Sequence, residues 1–295
     1  MAGKEPEIIT DKNQMRKWSR AMRSQGKTIG FVPTMGYLHE GHISLIKEAH
    51  KHTNLIVVSI YVNPGQFSPT EDLSTYPSDF HGDIQKLMAV PGGVDAVFHP
   101  HNLYDHAKSK PTGVNTNSSN YHNSGGGGEP ERKGVVSCVE ERGLGHETWV
   151  RVERLEKGMC GKSRPVFFRG VATIVTKLFN IVEPDVAVFG KKDYQQWRII
   201  QQMVRDLDFS IEVALSINRS LSRAKSDAEN GQINCMELRN SVIQAVNSAG
   251  GRIDYAEIVD QETLEAVEEI QSPVVFCIAA WFGKVRLIDN LEINI

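Results

Sequence analysis

Apolar residues in this chain fall into short unbroken runs separated by amphipathic stretches. Residues 28–33 (Thr-Ile-Gly-Phe-Val-Pro) and 55–62 (Leu-Ile-Val-Val-Ser-Ile-Tyr-Val) read as strands. The second run is nearly continuous and β-branched, as expected of a strand covered on both faces in a parallel sheet. Helical periodicity follows at 41–52 and again at 78–90, and 94–98 is a further short strand. After a polar interval, 149–152 marks the return of regular structure, followed by a helix at 169–182, a strand at 186–189 and a helix at 192–207. Strand and helix in alternation predict a doubly wound parallel sheet, an α/β domain over residues 1–213. Beyond about residue 209 the pattern changes. Helical stretches at 214–230 and 234–247 precede strands at 252–259, 274–281 and 285–288, giving a smaller α+β unit over 214–295.

The polar interval, residues 104–147, contains Asn115-Thr-Asn-Ser-Ser-Asn120 and four consecutive glycines at 125–128. It lacks periodicity, and too little of it is apolar to offset the entropy of ordering, so much of it reads as a mobile surface insertion.

Composition narrows the picture only a little. A chain of 295 residues suffices for one large domain or two modest ones. Net charge of −3 offers no global attraction to nucleic acid or to an anionic membrane. No apolar run approaches the roughly 20 residues that span a bilayer. The start, Met-Ala-Gly-Lys-Glu-Pro-Glu, is unlike a targeting presequence. Cys138, Cys160, Cys235 and Cys277 are widely spaced, which argues against zinc and against a disulfide framework. That usage fits a reducing cytoplasmic location.

The chemistry-bearing residues sit where the strands end. Pro33-Thr-Met-Gly-Tyr-Leu-His-Glu-Gly-His42 lies where the first strand hands over to a helix. There the helix offers unpaired N–H groups and the positive end of its dipole, and His39 and His42 can donate to phosphate oxygens. Gly36 and Gly41 allow close backbone approach. No third ligand with sensible spacing joins the two histidines, so no protein-held metal is expected. At the end of the second strand, Tyr61-Val-Asn-Pro-Gly-Gln-Phe67 places Asn63 and Gln66 to bind a polar substrate without adding charge. Turn chemistry alone would account for Asn63, Pro64 and Gly65, though not for Gln66 and Phe67. A third segment, Phe189-Gly-Lys-Lys-Asp-Tyr-Gln-Gln196, follows the strand at 186–189. Gly190 admits a ring or ribose, Lys192 can neutralise phosphate charge, and Gln196 can face the crevice. Asp193 can accept from ribose hydroxyls or hold a magnesium-bound water; an ordinary helix start would also explain it. In Gly161-Lys-Ser-Arg-Pro-Val-Phe-Phe-Arg-Gly170 the basic residues can meet a carboxylate or phosphate. A Walker A loop is excluded there, because no glycine pair precedes Lys162 at the required spacing.

In this order and spacing the motifs resemble those of pantothenate synthetase, the ligase joining pantoate to β-alanine, in a plant-like form. Further matches are Tyr76-Pro77 and, near the C-terminus, Ala279-Ala-Trp-Phe-Gly-x-Val-Arg-Leu-Ile-Asp-Asn290. The resemblance implies a Rossmann-like, adenylate-forming fold of the class I aminoacyl-tRNA synthetase and nucleotidylyl transferase type. It implies that His39 and His42 hold ATP phosphates and that Gly41, Gly190 and Asp193 contact adenosine. Met35 and Lys192 match positions close to the reacting phosphate. Gln66 and Gln196 match the two glutamines that hold pantoate, and Asn63, Tyr76 and Arg164 match other active-site positions. ATP with its Mg²⁺, pantoate and β-alanine are the implied small molecules, and the family's habit implies a homodimer.

One departure stands out. The family continues past the helix ending near Leu207 into an Asp-Gly-Leu-Ala-Met-Ser-Ser-Arg-Asn loop that closes over the triphosphate. Here Val213 runs straight into Ala214-Leu-Ser-Ile-Asn-Arg-Ser-Leu221, which resembles a helix beyond that loop. Residues 220–225 supply serines and cations within a helical pattern and are no substitute. Losing such donors removes stabilisation of charge building on the phosphoryl oxygens, where one oxyanion donor contributes about 3 kcal/mol. Two alternatives to the active ligase follow: a catalytically impaired splice-type variant that binds substrates or forms mixed dimers, and a nucleotidyltransferase with the same His-x-Gly-His junction.

Overall fold

The computed structural model describes residues 5–71, 73–104, 135–142, 146–216, 234–283 and 285–294. Six strands form one parallel sheet: β1 (Glu7–Ile9), β2 (Ile29–Thr34), β3 (Leu55–Ile60), β4 (Ala96–Phe98), β5 (Val186–Gly190) and β6 (Glu212–Ser216). Their order is β1-β4-β3-β2-β5-β6, so the chain leaves β2 in one direction and returns beside it with β5. That reversal is the switch point at which open α/β sheets bind ligands.

The unbroken apolar runs follow from burial on both faces. Phe31, Val57, Phe98, Ala187 and Phe189 face one core, shared with α1 (Lys12–Ser24), α6 (Phe167–Val182) and α7 (Tyr194–Asp206). Their neighbours Val32, Ile56, Val58, Val97 and Val188 face the other, beneath α2 (Glu40–Ala49) and α3 (Phe80–Met88). Period-two alternation thus feeds two apolar layers instead of one.

Two elements went unpredicted. β1 is three residues long, too short to register as a run. In α1, Asp11 caps the helix by accepting from the N–H of Asn13 and Gln14, and Met15 is fully buried with Trp18 and Met22 packed against the same core. Two expectations are corrected. Residues 149–152, where regular structure was expected to resume, form no helix or strand: the Val150 N–H donates to Thr173 Oγ1 on α6 at 2.9 Å. Residues 214–216 are not helix. They complete β6, where pairing of Val188 with Ala214 and of Phe189 with Leu215 overrides a pattern that suits either structure. The remainder of that expected helix, with residues 220–225, lies outside the described residues.

The expected insertion is packed at its margins. Tyr104 is fully buried, and α4 (Cys138–Glu141) begins with a Ser137–Glu140 capping box over buried Cys138 and Val139. Residues 105–134, including the four glycines, lie outside the described residues.

The C-terminal unit is a three-stranded antiparallel sheet of β7 (Arg252–Asp260), β8 (Val274–Phe282) and β9 (Val285–Ile293), with α8 (Cys235–Ser248) on one face. Val274, Phe276 and Ile278 of β8 pack in the cluster that includes Leu238 of α8. Val275 and Cys277, on the opposite face, join Met159 of α5 (Met159–Ser163) and Tyr194 of α7, docking the small sheet onto the large domain. Among the described residues no helix is long and apolar enough to cross a membrane.

Candidate active site

A cleft of about 740 Å³ opens at the carboxyl ends of β2, β3 and β5. Met35, His39, Gly41, His42, Asn63, Gln66, Tyr76, Arg164, Gly190, Lys192, Asp193 and Gln196 all line it. The twelve residues that the resemblance assigns to the site are therefore brought to one cavity, whereas Gly36 lies outside its lining.

The first wall is the β2–α2 turn. Gly36 has φ of 86°, and a Cβ there would meet Ile60 and Asp83, so only glycine fits without strain. Tyr37 is also left-handed, at φ of 52°. The strain is offset by Asp83, a buried α3 carboxylate that accepts the N–H of Tyr37 at 2.8 Å and of Leu38 at 2.6 Å. Sequence reasoning missed Asp83, because an aspartate in a helical stretch carries no signal of what it reaches.

His39 then caps α2. Its Nδ1 accepts the Gly41 N–H at 3.0 Å, while His42 Nδ1 accepts the His39 N–H at 3.3 Å. A neutral imidazole that accepts at Nδ1 carries its proton on Nε2, so both rings keep an Nε2–H donor. The rings lie 4.1 Å apart, tilted by 40°. Burial, then repulsion from His39, Lys192 and Lys86, pushes His42 down to about 4. Burial, the largest cause, disfavours charge of either sign, whereas Lys192, Lys86 and the α2 amino end favour an anion there.

The second wall is an amide-lined pocket. Asn63 Nδ2 donates to Gln66 Oε1 at 2.9 Å and to Gly170 O at 3.1 Å, and Asn63 Oδ1 accepts from Tyr104 Oη at 2.8 Å and Gly65 N–H at 3.2 Å. With its polar atoms so engaged and 1% exposure, Asn63 orients Gln66. Gln66 Nε2 in turn donates to Met35 Sδ at 3.4 Å. Gly170 lets α6 approach, since a Cβ there would collide with the Gly65 carbonyl oxygen. Arg164 is paired with Glu71 at 2.8 Å, and its guanidinium stacks 4.0 Å over Phe167. Tyr76 meets Phe67 edge-on, and burial raises its pKa.

The third wall is the β5–α7 turn. At Gly190 a Cβ would enter open space, so the backbone is accessible to a flat ligand. Asp193, at the N-cap of α7, keeps solvent contact within the concavity. Desolvation by surrounding protein raises its pKa, and Lys192 opposes the shift. Among the described residues no group of three His, Cys, Asp or Glu is arranged to hold a metal.

The sequence profile of the family described as pantoate-beta-alanine ligase matches residues 7–216 and 210–292. The chain belongs to this family. A pantoate–β-alanine ligase of Lotus japonicus is 64% identical over 321 aligned positions, covering 98% of this chain and 99% of the relative. A pantothenate synthetase from Thermus thermophilus superposes with TM-score 0.76 at 30% identity, covering 98% of this chain and all of that one. A Francisella tularensis pantoate–β-alanine ligase, crystallised with β-γ ATP and β-alanine, matches at TM-score 0.64 and 27% identity over 97% of both chains. The Lotus alignment is longer than the 295 residues here, so that ligase holds residues this chain lacks. The two profile matches meet at 210–216, the place where the Met-Ser-Ser-Arg loop is missing from the sequence. Ligase family, plant-like sequence and sheet class therefore agree with the expectations drawn from the motifs.

Proposed function

We propose that the chain joins pantoate to β-alanine in two ATP-dependent steps. ATP enters as its magnesium complex, with phosphates against the α2 amino end and adenosine along Gly41, Gly190 and Asp193. Gln66 and Gln196 hold pantoate, whose carboxylate attacks the α-phosphorus. Pyrophosphate leaves, and the acyl-adenylate stays in the cleft. The β-alanine amine then attacks the acyl carbon, AMP departs and the amine releases a proton. Positioning and electrostatics drive both steps, through the His39 and His42 donors and the Lys192 ammonium. Exclusion of water from the cleft protects the mixed anhydride. The observation that carries this reading is the reciprocal His39–His42 cap, which leaves two Nε2–H donors at the positive end of α2. The protein is proposed to act in the cytoplasm as a homodimer.

Pantoate-dependent exchange of pyrophosphate into ATP tests the first step, with His42→Ala as the control that abolishes it. AMP release that requires β-alanine tests the second step and excludes a nucleotidyltransferase. A second reading is favoured by the break in the profile match at 210–216: a chain that binds ATP and pantoate without turning them over. Binding by calorimetry with no exchange would select that reading.

A further inference from the structure

Strand β9 reaches from the small sheet to the turn that carries Lys192. Asn290 Nδ2 donates to Lys191 O at 2.7 Å and to Lys192 O at 2.8 Å. Two residues along, Glu292 forms an ion pair with Lys191. Two residues back, Ile288 packs against the main core. One side of β9 is thus laid along the β5–α7 turn. Asn290 also lines a small cavity of about 70 Å³, together with Arg164, Lys192, Asp193 and Gln196, which belong to the main cleft as well.

The turn needs such support. Residues 191–193 belong to neither β5 nor α7, and their internal tie is a long Asp193 N–H to Gly190 O bond of 3.3 Å. Successive carbonyls facing one side repel each other, and a single amide group satisfies both. The peptide is trans, so fixing the Lys191 carbonyl toward β9 fixes the Lys192 N–H away from it.

We propose that Asn290 is a positioning residue for Lys192, through which the C-terminal sheet sets the place of the phosphate-facing ammonium. The inference rests on the ATP site proposed above. It assigns the small domain a part in substrate binding beyond covering the core.

Asn290→Ala and Asn290→Ser in the full chain test it, by ATP titration calorimetry together with peptide-resolved hydrogen exchange. Loss of two modest hydrogen bonds predicts about 10-fold weaker ATP binding for alanine. Serine keeps one donor and is expected about 3-fold weaker; it also serves if the alanine variant fails to fold. Faster exchange is expected to be confined to residues 190–194. ATP affinity unchanged in both variants, or exchange gains spread through β7, β8 and β9, would overturn the proposal and leave Asn290 a structural residue. Wild-type protein that binds no ATP would instead remove the functional reading itself, and this inference with it.

Discussion

Asp83 Oδ1 accepts the main-chain N–H of Leu38 at 2.6 Å, joining a helix to a turn 45 residues earlier. Its partner oxygen takes the N–H of Tyr37, so one buried carboxylate holds the strained approach to His39. Asp83→Asn keeps the shape and removes the charge from these bonds. Hydrogen bonds to charged groups contribute about 1.5–3 kcal/mol each, and asparagine retains one acceptor. Urea denaturation is expected to show a loss of about 2 kcal/mol, with ATP binding about 10-fold weaker by calorimetry.

His42 gives stability a specific pH dependence. Its folded-state pKa is about 4, against 6.5 for a free histidine. Between those values the unfolded chain takes up a proton that the folded protein refuses. The stabilisation is therefore complete above pH 6.5 and is lost as pH falls toward 4, by about 3 kcal/mol at most. Scanning calorimetry from pH 7 to 4.5 should show a smaller fall in melting temperature for His42→Gln than for wild type.

Gly41→Ala separates folding from binding. Its new Cβ would lie 2.7 Å from His39 Cε1 and 2.9 Å from Nδ1, so the ring must swing out of its cap. Alanine favours the helix by up to about 1 kcal/mol, which offsets much of the lost cap. Thermal stability is expected to stay within about 1 kcal/mol of wild type while ATP binding weakens at least 10-fold. Equal ATP affinity in both proteins would remove His39 from the phosphate site.

Gln66→Glu tests the acid pocket. A carboxylate in place of the buried amide meets another carboxylate in low dielectric, and the Asn63 donor alone cannot compensate for both. Pantoate binding is expected to fall about 100-fold, with ATP affinity within about 3-fold of wild type, both read by calorimetry.

The sheet was readable because burial on two faces writes a distinctive run such as Leu55–Ile60, and because glycines and histidines collect where strands end. What stayed hidden depends on partners distant in sequence. Asp83, Tyr104 and Asn290 act through residues 41 to 99 positions away, and no local pattern encodes such pairs. Residues 214–216 were misassigned for the same reason: a three-residue stretch takes the structure its neighbour β5 imposes. Asn63 lines the cavity, but its role as a support for Gln66 is visible only in the bonds themselves.

The register of the large sheet has a geometric consequence. β2 pairs with β3 along its whole length, yet meets β5 only at Gly30–Val186 and Phe31–Ala187. The two halves of the sheet are joined like pages sewn at the lower edge. Above that edge β2 and β5 no longer pair, and their upper residues Pro33, Thr34, Phe189 and Gly190 line the crevice.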